Sequence, residues 1–166
     1  FEPFAEFEIN SSWQAVKELA EEKNPQLICE CLPVDHHAAR ERLIDLLESH
    51  QPRTCLCTGL AKGDKFRLEG QARKPNQFSD FKGEDSYTGQ WPWDAALQSF
   101  QANDLPAYIS EDAGQYVCES TYWTLLDFQS QHDCPEKTAF LHVPPLSKEW
   151  PADKISGGLK AMLAVI

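Results

Sequence analysis

The chain has 166 residues, 42% of them hydrophobic, which suffices for one well-buried core and is short for two independent domains. Its 26 acidic against 15 basic side chains give a formal charge of −11, which repels a phosphate backbone or an anionic membrane surface and so argues against nucleic acid and lipid as partners. No apolar run approaches the roughly 20 residues of a membrane helix, and no basic stretch followed by an apolar one opens the chain, so it reads as a soluble, unexported, cytoplasmic protein.

In chain order, Asn10-Ser11-Ser12 is a helix start signal, and Trp13, Val16, Leu19 and Ala20 continue with apolar residues at helical spacing. This first helix is expected to stop near Asn24-Pro25. Residues 26–34 read as a strand. Asp35 then caps a second helix, with His36 and His37 in its first turn and Ala39, Leu43, Ile44, Leu46 and Leu47 on its buried face. Residues 53–58 form a short apolar run that ends in Gly59-Leu-Ala-Lys-Gly63, a turn suited to the carboxyl edge of a parallel sheet. Residues 65–69 alternate basic and apolar as a half-exposed strand does. Residues 71–90 shift to Gly, Pro, Asn, Ser and Asp and read as a loop. A helix over 93–103, a strand over 107–110, a helix over 114–130, a strand over 138–143 and a final helix from Ala152 complete the chain. Strand and helix alternate, which predicts an α/β fold: a three-layer sandwich with a mostly parallel central sheet, helices on both faces, and ligand sites at the carboxyl ends of strands.

Six cysteines are too few for a disulfide scaffold. Cys29-Glu-Cys31 and Cys55-Leu-Cys57 have the spacing that puts both sulfurs of a pair on one face of a strand. Buried apolar thiols are the preferred reading over a zinc site, because structural zinc pairs favour two or more intervening residues, and no metal is expected. Cys134, next to Pro135, reads as an exposed thiol.

Cys118 falls early in a helix that follows a strand, where free backbone N–H groups and the positive helix end suit a thiolate or an oxyanion. His142 ends an apolar strand and is followed by Pro144-Pro145, which stop it. In a parallel sheet those two edges can be neighbours, giving a nucleophile and its base. Glu69, at the end of its own strand, is the candidate third group that orients the imidazole. The bland alternative is a core cysteine and a structural histidine.

Asp112-Ala-Gly-Gln-Tyr-Val-Cys118 resembles the cysteine signature of pyroglutamyl peptidase I, also called pyrrolidone carboxyl peptidase, and Phe140-Leu-His-Val-Pro144 resembles that family's histidine motif. Phe1-Glu-Pro-Phe4 with Asn10-Ser-Ser-Trp13 is similar to its N-terminal elements, and Thr58-Gly-Leu-Ala61 through Leu68-Glu69 to its glutamate region. The resemblance implies a cysteine exopeptidase that removes N-terminal pyroglutamate from peptides without a cofactor. It implies Cys118 as nucleophile, His142 as general base and acid, and Glu69 as the residue orienting His142. It further implies a lactam pocket walled by Phe1, Phe4 and Tyr116 and organised by Asn10, and it leaves room for a homo-oligomer. The chain is then one domain, 1–166, expected to lack an N-terminal strand that the family carries ahead of Phe1. Lys62-Gly63-Asp64 and Glu119 depart from the family pattern. On those two acidic residues rests the alternative, an impaired homologue that binds a peptide end or a partner without turnover.

Overall fold

A computed structural model describes residues 1–3 and 8–166. Helix α1 (Ser11–Ala20) starts where its signal predicts, with the Asn10 side chain accepting the Ser12 N–H at 3.1 Å. Helix α2 (His36–His50) is capped by Asp35, whose carboxylate accepts the N–H groups of His37 and Ala38. Strands β1 (Thr54–Leu60) and β2 (Phe66–Glu69) follow, then β3 (Gln71–Arg73) and β4 (Ser86–Thr88), α3 (Trp93–Ala102), β5 (Ala107–Ser110), α4 (Val117–Gln131), β6 (Lys137–Val143) and α5 (Ala152–Leu163).

The main sheet has the order β1-β6-β2-β5. β1 runs parallel to β6 and β2 parallel to β5, while the β2–β6 pair between them is antiparallel. Two of the three pairings are thus parallel, and the expected mostly parallel sheet flanked by helices is what the chain forms. The period of two along β6 decides which core each residue joins. Ala139, Leu141 and Val143 pack with Leu19 of α1, Phe100 of α3 and Ile155 of α5. Phe140 points the other way, with Cys57, towards Leu43 of α2 and Val117 and Leu125 of α4. Two apolar cores on the two faces of one sheet make the three layers.

Two expectations need correction. Residues 26–34 do not form a strand, although burial still alternates from Leu27 to Cys31 in the way a strand would. A strand requires a ladder partner for its backbone groups, and among the described residues the segment makes one such contact, Glu2 N–H to the Leu32 carbonyl at 3.1 Å. The side of β1 away from β6 carries no strand among the described residues. Between that edge and residues 26–32 runs a groove of about 780 Å³, lined by every residue from Thr54 to Thr58, as befits a groove along an edge rather than a face.

The expected loop over 71–90 is instead a small antiparallel pair, β3 with β4, joined through a short 3₁₀ turn at Asn76–Phe78 and clasped onto α4. The Trp123 indole N–H donates to the Glu84 carbonyl at 3.0 Å, and the Tyr87 hydroxyl donates to Asp127 at 2.8 Å. Gly83 sits between them at φ +132°, where a Cβ would lie 2.5 Å from Asp127 and 2.8 Å from Trp123. The lack of hydrophobic periodicity misled because this segment's anchors are single aromatic and polar contacts. A smaller shift also occurs at α4, which begins at Val117 rather than near Gly114.

Candidate active site

β6 and β2 carry the site on the α4 face of the sheet. The antiparallel register places Glu69 opposite Phe140, two residues from His142, so all three side chains share that face. The Glu69 carboxylate and His142 Nδ1 are 2.7 Å apart, with the two side chains 0% and 5% exposed. The second Glu69 oxygen is buried with no hydrogen-bond partner among the described residues. A fully buried carboxylate that is only half satisfied is costly and uncommon away from functional sites.

The parallel register puts Gly59 of β1 beside His142 on the other side. Cys118 comes down from the first turn of α4 onto that glycine, and a Cβ there would meet its Sγ at 2.7 Å and the Phe140 ring at 3.1 Å. Only glycine leaves this seat free. The half-buried Cys118 sulfur faces the imidazole of His142 closely enough to raise its pKa. Burial works against the imidazolium charge, but Cys118 and then Glu69 outweigh it, so His142 is pushed up to about 9. Both neighbours thus favour the charged form of the imidazole.

Around this line, Phe1 is buried with its ring 6.5 Å from that of Phe140, which lies 4.8 Å from the His142 ring. Asn10 is one step further back. Besides capping α1, its amide donates to the Glu2 carbonyl at 3.0 Å, which fixes the residue after Phe1. Tyr116 is the N-cap residue of α4 and is 77% exposed. Phe4 lies outside the described residues. Asp64 is exposed in the turn after β1, whereas Glu119 is buried and accepts the backbone N–H of Arg73. Burial raises the Glu119 carboxyl, with the Arg73 N–H partly offsetting it.

The residues that sequence reasoning passed over are Gly59 and Arg73. Gly59 was legible only as part of a turn, because its partner across space, Cys118, is 59 positions away; pairing the β1 and β6 runs in parallel would have exposed it. Arg73 carried no signal, since its bond to Glu119 is made by a main-chain N–H. The cysteine pair on β1 does share a face: the neighbouring Cys55 thiol, together with burial, lifts the Cys57 thiol well above its ordinary range. Cys29 and Cys31 lie on the irregular segment rather than on a strand. Among the described residues, no group of three or more His, Cys, Asp or Glu side chains is placed to hold a metal ion. No described helix is long and apolar enough to cross a membrane.

Fold and site together define an α/β protein with a thiol, an imidazole and a carboxylate in line over a sheet. Residues 69–164 match the family model described as pyroglutamyl peptidase. Over its whole length the chain is 30% identical to the pyrrolidone-carboxylate peptidase of Thermococcus onnurineus and spans 94% of that relative. It is 29% identical to human pyroglutamyl-peptidase 1, covering 98% of this chain and 85% of the human protein. The crystal structure of Bacillus amyloliquefaciens pyroglutamyl peptidase I superposes with a TM-score of 0.82 at 26% identity, covering 99% and 92% of the two chains. A pyrrolidone carboxyl peptidase variant from Pyrococcus furiosus shares the fold at a TM-score of 0.89. The chain belongs to the pyroglutamyl peptidase family.

Proposed function

We propose that the protein hydrolyses the bond after an N-terminal pyroglutamyl residue in peptides, with Cys118 as nucleophile. The observation that carries this reading is the continuous line Cys118, His142, Glu69 at the end of β6. Glu69 accepts from His142 Nδ1–H, which fixes the ring and leaves Nε2 for the sulfur. The Cys118 thiolate attacks the pyroglutamyl carbonyl, and backbone N–H groups in the first turn of α4 receive the oxyanion. The leaving amine takes the proton from His142 Nε2 as the C–N bond breaks, giving an acyl-enzyme thioester. Neutral His142 then accepts a proton from water, whose oxygen attacks the thioester and releases pyroglutamate, returning the proton to the imidazole. A lactam carries no charged amine, so an apolar wall with few hydrogen bonds suits it; Phe1, Phe4 and Tyr116 supply that wall and Asn10 holds it in place.

A second reading, a homologue that holds a peptide end without turnover, draws on the buried carboxylate of Glu119 directly after the nucleophile. A fluorogenic pyroglutamyl amide separates the two. Hydrolysis that disappears in Cys118→Ala and after thiol alkylation is expected; no turnover by the unmodified protein would leave only the second reading.

The reading includes one domain over 1–166. Six free cysteines suit a reducing, cytoplasmic setting.

A further inference from the structure

Glu119 directly follows Cys118, is 4% exposed, and takes no part in the line of Cys118, His142 and Glu69. Its carboxylate leaves the first turn of α4 and accepts the main-chain N–H of Arg73 on β3. β3 in turn reaches back to the connection that delivers Cys118. The side chains of Gln71 and Arg73 both donate to the Glu111 carbonyl, at 2.8 and 3.1 Å, and Arg73 lies 3.8 Å from the Asp112 carboxylate. Asp112 also accepts the Gly114 N–H at 3.1 Å, shaping the turn before the nucleophile. The circuit closes: the Cys118 turn, Glu119, β3, residues 111–112, and the Cys118 turn again.

That circuit begins two residues after Glu69. Gly70, between Glu69 and β3, donates its N–H to the Ser110 carbonyl at 2.7 Å, at the end of β5. The segment running from Glu69 into β3 and the connection leading to Cys118 are therefore tied at several points, among them Gly70 to Ser110 and Arg73 to Glu119. His142 sits between the two residues so held. We propose that Glu119 is a positioning residue, whose carboxylate oxygen fixes the Cys118 turn against Glu69 and His142 by way of β3. This rests on reading Cys118 as the nucleophile. It gives the departure from the family pattern at this position a purpose: the acceptor is what matters, and its charge is held on β3 by the Arg73 N–H.

The test compares Glu119→Ala, Glu119→Gln and Arg73→Ala. Glutamine keeps an oxygen that can accept the Arg73 N–H, whereas alanine removes it. Glu119→Ala is expected to lower kcat on a pyroglutamyl amide about tenfold with KM within about twofold, because a displaced nucleophile loses attack geometry rather than affinity. Glu119→Gln is expected to recover to within about threefold of the parent. Arg73→Ala cuts an exposed side chain and the ties to residues 111–112, and is expected to lower kcat about threefold while folding normally. Alkylation of Cys118 by iodoacetamide at neutral pH is read in parallel and is expected to slow in the same order. Glutamine as impaired as alanine, or alanine equal to the parent in both readouts, overturns the proposal. Should the parent not turn the amide over, the functional reading fails, while the alkylation order still decides for or against Glu119.

Discussion

The two sides of β1 are built differently. On the β6 side, seven residues from Thr54 to Leu60 pair in register with Lys137 to Val143, and the strand ends where Gly59, Cys118 and His142 meet. On the other side the same strand borders a groove, and the segment facing it alternates like a strand without becoming one. Ordering along β1 follows hydrogen-bond partners rather than residue type, since the same Cys-Leu-Cys-Thr side chains serve both edges. The site belongs to the satisfied side, where register fixes side chains to fractions of an ångström; the groove side is where residues can change with little consequence.

The largest effect that would sharpen this contrast is at the carboxylate. Glu69→Gln keeps the shape but no longer stabilises an imidazolium, and kcat is expected to fall on the order of 10³-fold with the fold retained, as followed by steady-state kinetics and circular dichroism. A loss under tenfold would detach Glu69 from the site. Next comes Gly59→Ala, whose new methyl would stand 2.7 Å from the Cys118 sulfur. Relieving that clash moves the sulfur by about 1 Å, which is expected to cost about 10² in kcat. Unchanged kinetics would mean the sulfur does not rest there during turnover.

A third, smaller effect is thermodynamic. His142 is held at about 9 in the folded chain against an ordinary 6.5 when unfolded, so its charge stabilises the fold. A raised folded-state value means that this stability is fully present below about pH 6.5 and is lost as pH rises through about 9, an amount on the order of 3 kcal/mol. Denaturant titrations of the parent and His142→Gln should therefore differ at pH 6 and converge towards pH 10. A difference that grows with pH would contradict the assignment. Smallest of all, Ile28→Ala on the groove side, 56% exposed, should change stability by less than about 0.5 kcal/mol and leave kcat/KM untouched. A large loss there would show the two sides of β1 to be equally built.

Legibility in the sequence followed the same division. Helix starts at Asn10 and Asp35 and the β6 run were readable because caps and apolar periods are local signals. Glu69, Cys118 and His142 could be picked out by position at element ends, yet their contact depends on a crossover order, β1-β6-β2-β5, that no local pattern encodes. Residues 26–34 read as a strand because side-chain alternation is visible in sequence and the presence of a neighbour is not. The β3–β4 pair was missed for the opposite reason: its hold on α4 comes from Trp123, Tyr87 and main-chain donors, with no repeating pattern to detect.

The central claim is that Cys118 carries the acyl group. Rapid acid quench during turnover of a pyroglutamyl ester, followed by peptide mapping, measures it directly. The account predicts a pyroglutamyl thioester on Cys118 and none on Cys29, Cys31, Cys55, Cys57 or Cys134. Turnover that proceeds with Cys118 unmodified, or that survives in Cys118→Ala, would contradict it.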